Sequence, residues 1–246
     1  MENEREQARM GLINRISDTI RGYNKIMKED RYYELTDEAI EFDGHTLHRI
    51  RCIKDFLNIT KGTLGGFVEG YENLCGEAWV DGEAKVYAGA VVKDRASVQR
   101  SACVSNGAVI AERAYVDDSA SVYGAVWIGS NAAIYDSAVI RQGSPWPLII
   151  GGYTKIGGNA VIKSDYDYIV FKNWWSSGRY FTWTRSNDIW CVGCFYGTGK
   201  ELIAKAYKDS KVSGREYERV VKYVEQIKRD SKPSLWQRVK KMLTGK

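Results

Sequence analysis

Ala78-Trp79-Val80-Asp81-Gly82-Glu83-Ala84-Lys85-Val86-Tyr87-Ala88-Gly89-Ala90-Val91-Val92 sets the period of the whole chain. Alanine returns every six residues at Ala78, Ala84, Ala90, Ala96, Ala102, Ala108, Ala114 and Ala120. Val126 takes the next slot, and Ala132 and Ala138 follow. An aliphatic residue stands two places after each, from Val80 and Val86 to Ile134 and Ile140. Residues two apart in a strand share a face, so Ala84 and Val86 point inward and Lys85 outward. The polar residues between hexads turn the chain, with Gly82, Asn106, Gly107, Gly124, Gly129 and Asn131 supplying unusual backbone angles. Only a small side chain fits beside such a corner, which explains the alanines. Short strands joined by corners stack into a solenoid.

The hexad resembles the repeat of left-handed parallel β-helices, in which three hexads make one triangular coil. That resemblance carries the register back to Gly66/Val68 and Glu72/Leu74. It also carries it forward, past a four-residue insertion within Arg141–Pro147, to Leu148/Ile150, Thr154/Ile156 and Ala160/Ile162. The expected fold is mainly β: a left-handed parallel β-helix of about five coils, roughly 25 Å tall. Every eighteenth residue then shares a column. One face shows Trp79, Ser97, Tyr115 and Ala133; the next shows Lys85, Cys103, Ser121 and Val139. The third face shows Val91, Val109 and Trp127 and is the most apolar, so it is expected to pack against a neighbouring subunit of a homotrimer or under the C-terminal segment.

Five segments are expected: a helix over residues 1–31, a hairpin cap over 32–65, the β-helix over 66–164, an aromatic β segment over 165–198, and helices over 199–246. Ile13, Ile16, Ile20, Tyr23 and Met27 carry the helical spacing of the first. Asp43-Gly44 between alternating apolar residues marks the hairpin turn. Capping-box patterns at Thr198/Glu201, Ser213/Glu216 and Ser234/Gln237 predict three terminal helices.

The net charge of +5 is uneven. From Lys200 to Lys246 there are 14 Lys and Arg against 6 Asp and Glu, whereas Gly66 to Ser164 carries 8 against 10. The five scattered cysteines suit a reducing compartment, and no apolar run is long enough for a transmembrane helix. The expected location is therefore cytoplasmic.

The chemistry is sparse. Both histidines, His45 and His48, fall in the hairpin and none on the coils, so no catalytic residue is assigned. Cys191-x-x-Cys194 lacks a second ligand pair, so no metal is expected, and no cofactor is assigned. Gly193 to Glu201 is one residue too long for a phosphate loop, and Glu201 stands where a hydroxyl would hold magnesium. What survives is an anion site at a helix start, Gly197-Thr198-Gly199-Lys200. The densest mix of aromatics and cations is Trp174, Trp175, Arg179, Tyr180, Trp183, Arg185 and Trp190, which suits a base plus phosphates.

The pre-solenoid run Gly62-Thr63-Leu64-Gly65-Gly66-Phe67-Val68-Glu69 resembles a group of phage- and prophage-encoded solenoids often labelled acyltransferase or polymer-forming. So does the later run Trp190-Cys191-Val192-Gly193-Cys194-Phe195-Tyr196-Gly197-Thr198. The resemblance covers about residues 32–228. It implies a protein in the host cytoplasm that binds a small anionic ligand such as a nucleotide immune signal and sequesters it. The alternatives are an acyltransferase that uses an acyl-thioester donor and a histidine base, and a structural interaction module.

Overall fold

The computed structural model describes residues 31–230. The expected helices over residues 1–31 and from Ser234 lie outside that range. The chain divides into two compact units. The first runs to Ile169 and takes in Thr184–Asn187, and the second comprises Val170–Trp183 and the chain from Asp188 onward.

Fifteen short strands of the first unit, from β3 (Leu64–Val68) to β17 (Val161–Ile162), form three parallel sheets with about three strands to the coil. This is the expected parallel β-helix of about five coils. Trp79 pairs with Ser97, Ser97 with Tyr115, and Tyr115 with Ala133, so the column of every eighteenth residue is real. The register lengthens across the insertion, where Val126 pairs with Leu148 and Val139 with Val161. The four added residues therefore leave the strands in phase. Ala84, Ala90, Ala102, Ala108, Ala120 and Ala138 are fully buried, as are the branched residues that follow them.

The corners show why the repeat is six long. Two residues before each small slot lies a residue with φ between 50° and 84°. Glycine fills several of these positions at no steric cost, but Ala88, Asp94, Arg100, Glu112, Asp118, Ser130 and Asp136 hold the same conformation. Between Gly129 and Asn131, both expected to take the special angle, Ser130 takes it instead. Carboxylates offset the strain. Asp94 accepts the Glu112 N–H at 3.0 Å, and Glu112 accepts the Ser130 N–H at 2.7 Å. On the neighbouring corner Asp118 accepts from Asp136 at 3.1 Å, and Asp136 from Gly158 at 2.6 Å.

At the N-terminal end, β1 (Tyr33–Phe42) and β2 (His45–Cys52) form the expected hairpin, with Asp43 and Gly44 both at positive φ. Strand β2 pairs antiparallel with β3, so the hairpin continues one wall of the prism. At the other end, side chains close the strand edge. Ser186 Oγ accepts the Val161 N–H at 2.7 Å, and Asp167 accepts the Lys163 N–H at 2.7 Å. This is why Thr184–Asn187 belongs to the first unit.

The second unit holds a four-stranded sheet, in which β18 (Tyr168–Lys172), β19 (Tyr180–Thr184), β20 (Ile189–Val192) and β21 (Phe195–Gly197) are neighbours in that order. Two helices follow, α1 (Gly199–Asp209) and α2 (Lys211–Asp230). The second starts earlier than Ser213/Glu216 predicts, because Ser210 Oγ accepts the Ser213 N–H at 3.0 Å and Ser213 lies inside the helix. Tyr217, Val221 and Val224 form its buried face. Among the described residues no helix is long and apolar enough to cross a membrane.

The corner conformation is directly testable at Ala88, whose φ is 50° and whose N–H and carbonyl are both hydrogen-bonded. Ala88→Val is expected to cost about 2 kcal/mol, because a β-branched residue resists positive φ, whereas Ala88→Gly should cost nothing. Urea unfolding midpoints of the two variants check this.

Candidate functional site: an aromatic and cationic loop

Strands β18 and β19 are joined by a loop, and the loop carries most of the second unit's unusual groups. Trp174 is 76% exposed, the most exposed tryptophan among the described residues. Its ring meets Trp175 edge-on at 6.1 Å. Trp175 in turn packs edge-on against Tyr217 at 5.0 Å and Phe181 at 6.2 Å. Arg179 is exposed at the loop's end; its carbonyl accepts the Asn173 N–H at 2.8 Å, and its Nη1 lies 3.2 Å from where a Cβ on Gly193 would sit. Tyr180 is 38% exposed, with the Lys172 ammonium 5.6 Å from its ring centre. Asn173 is buried and donates through Nδ2 to the Tyr217 hydroxyl at 3.1 Å. Burial pushes the Tyr217 phenol up, while the Asn173 bond and the nearby Arg179 charge pull it down.

The loop stands on a rigid base. Phe181 and Trp183 are fully buried, and Trp190 is 2% exposed. Phe171 stacks on both Phe181 and Trp190, at 5.4 and 5.8 Å. The Trp183 indole donates to Asp188, which also holds Lys228 of α2 at 2.6 Å.

The expected ligand-binding set therefore splits. Trp174, Arg179 and Tyr180 present side chains to solvent, and Trp175 is half-buried beside them. Trp183 and Trp190 do not: both are packed into the sheet's core, where burying a large aromatic stabilises more than surface stacking would. Arg185 lies in Thr184–Asn187, where its N–H donates to the Asp167 carbonyl.

The expected anion site at the start of α1 is filled from within. Thr198 caps the helix, and the Glu201 carboxylate accepts from both the Thr198 N–H and its hydroxyl, each at 2.8 Å. Those bonds hold the Glu201 carboxyl below its ordinary value. A resident carboxylate at a helix start repels the anion that the dipole would attract. Gly199 has a packing reason of its own, since a Cβ there would lie 2.7 Å from Val221 Cγ1. Lys200 is exposed.

The apolar third face is largely covered within the chain. Val91 and Val109 are 7% and 8% exposed and so already covered within one chain, and Trp127 is half-buried, with Lys93 5.1 Å from its ring centre. Covered side chains offer little area to a second subunit.

One group that the sequence left without partners acquires them. His45 Nδ1 lies 2.7 Å from Glu69 Oε1, and the other Glu69 oxygen accepts the Ala88 N–H at 2.7 Å. An ionised carboxylate only accepts, so Nδ1 carries the proton; in the neutral ring Nε2 then carries the lone pair. Tyr87 packs 5.2 Å from the imidazole and donates to Asp43. A histidine from the hairpin thus reaches the solenoid wall. Only the antiparallel β2–β3 pairing brings it there, and no local pattern announces that pairing. His48 sits 3.3 Å from the Thr36 carbonyl.

Two outcomes are expected here. Trp183→Ala should cost about 3–5 kcal/mol of second-unit stability, as a core truncation does, measured by near-ultraviolet circular dichroism melts. The His45 bond chiefly holds the Glu69 carboxyl below its ordinary value. Its stabilising contribution is therefore present above the usual glutamate range, about 4.3, and lost as pH falls through the lowered value. Urea midpoints between about pH 3 and 7 should show wild type exceeding Glu69→Gln at neutral pH, with the gap closing only at the acid end.

A comparison of the chain with protein-family models returns no match, and a comparison with curated proteins returns none either.

Proposed function

We propose that the chain is a non-catalytic binder of a small anionic ligand, a nucleotide signal in the phage setting that its resemblance implies, and that it blunts host defence by sequestering that ligand. The observation that carries the reading is Trp174: a large ring left 76% in water, on the loop that also carries Arg179 and follows Lys172. Leaving such a ring solvated forgoes burial energy, and stacking on a base recovers it, at about 1–3 kcal/mol per base. Arginine and lysine beside the ring meet phosphate charge. The buried Phe181, Trp183 and Trp190 give the loop a fixed footing, which lowers the ordering cost of binding. The homotrimer is not required by this reading, since Val91 and Val109 are covered within the chain.

Acyl transfer is the second reading, and the His45–Glu69 pair favours it. A carboxylate that fixes the ring through Nδ1 is the arrangement of a general base, which would take the acceptor's proton at Nε2 as the acyl group leaves its thioester.

Protein purified from cells, heat-denatured and cleared should release a stoichiometric anionic ligand seen by mass spectrometry. Trp174→Ala and Arg179→Ala should each weaken its retention by about tenfold or more. Full retention in both variants removes the site. Free thiol released from an acyl-thioester in a reaction abolished by His45→Gln would replace the first reading with the second.

A further inference from the structure

Buried polar atoms in this chain are paired with care. Asn73, fully buried, uses both ends of its amide: Oδ1 accepts the Gly70 N–H at 2.7 Å, and Nδ2 donates to the Ala90 carbonyl at 2.8 Å. The Trp183 indole N–H finds Asp188 at 2.9 Å. Among the described residues two buried side-chain polar atoms have no partner, Asn173 Oδ1 and Trp175 Nε1. They are two positions apart in one loop and flank Trp174. An orphaned polar atom away from water costs about as much as a lost hydrogen bond, so two together need a reason.

The two atoms are complementary in kind: the amide oxygen accepts, and the indole N–H donates. The Tyr217 hydroxyl can serve either end of the Asn173 amide, so turning the amide over still leaves one end unpartnered. The side chain is 4% exposed and bonded to Tyr217 of α2. The neighbouring rings, Phe181, Tyr217 and Trp175, meet edge to face and provide flat apolar walls.

We infer that Asn173 and Trp175 read the polar edge of a planar heterocycle, which makes the ligand a nucleoside phosphate recognised through its base. This rests on the ligand-binding reading of the same loop and adds the residues that read the base. Such binding requires the loop to open, because the Asn173 amide oxygen and the Trp175 N–H are both buried. Trp174 stacks on the face of the base, the Asn173 amide and the Trp175 N–H take a donor and an acceptor on its edge, and Arg179 and Lys172 face the phosphate. A purely anionic ligand would need only the two cations and would leave both orphans unexplained.

The test uses the full chain and titrates it with the four ribonucleoside monophosphates, ribose 5-phosphate and inorganic phosphate. Binding is followed by calorimetry and by quenching of tryptophan fluorescence. At least one nucleotide is expected to bind about tenfold or more tighter than ribose 5-phosphate. Asn173→Leu and Trp175→Phe should bring the two to parity while leaving ribose 5-phosphate binding unchanged. Trp175→Phe removes an orphan without opening a large void, so its thermal midpoint should equal or exceed wild type; Asn173→Leu also breaks the bond to the Tyr217 hydroxyl, so its folding is checked by an unchanged far-ultraviolet circular dichroism spectrum. Equal binding of nucleotides and ribose 5-phosphate by wild type overturns the base-reading inference and leaves the anionic-ligand reading standing. Nucleotide preference undiminished in both variants also overturns it. No binding of any of the six compounds removes both.

Discussion

Space at the corners of the prism governs this structure. Each coil must turn sharply three times, and from Gly76 to Asp136 each turn has a residue at positive φ followed two places later by a side chain, alanine at all but Val126, that sits against the bend. The interior is packed at the density of a crystal, so an extra methylene at an alanine slot has nowhere to go. After β3 the solenoid strands themselves are only two or three residues long and contribute little alone. Their stability comes from registry with the coils above and below, and a register kept over five coils depends on corners that do not vary. Where a non-glycine residue holds the strained angle, a carboxylate at the same corner of the adjacent coil often repays part of the strain, as Asp94 does for Glu112 and Asp118 for Asp136.

That constraint is why the solenoid was legible. Inner wall, facing columns and the phase across the insertion all follow from a period of six, and a period is local information. The acidic ladder has a sequence signal too, in the spacing of Asp94 to Glu112 and Asp118 to Asp136, but it emerges only once the coil length is known. The second unit has no such period. Alternation around Trp183 and Trp190 identifies strands without saying which face is covered, and packing from α2 decides that. The start of α2 was displaced because Ser210 and Ser213 are both competent caps, and the preceding helix end determines which is used. The His45–Glu69 contact was invisible for a different reason: it depends on an antiparallel pairing between segments about twenty residues apart.

The candidate loop and the helix start beside it illustrate two ways of treating polar groups. At Thr198 the N–H and the hydroxyl are both answered by Glu201, which places a resident negative charge at the helix start. At Asn173 and Trp175 the answer is missing. A chain that satisfies one buried amide at both ends, at Asn73, and leaves another half-satisfied beside a solvated tryptophan has concentrated its unmet bonding capacity in one place. The candidate loop stands on a small aromatic core, and the long repeat supplies none of its residues.

The hairpin that runs against the coils has a consequence for assembly. A parallel solenoid with bare ends is a template on which further copies add end to end, and the outcome is a filament. Here the N-terminal rim reverses chain direction at β2, and its outermost strand carries a bulge together with exposed Asp37, Glu38 and Glu41. An incoming coil would meet the wrong polarity, an interrupted ladder and a row of like charges. Among the described residues, that rim therefore offers an incoming coil no continuation of the parallel ladder.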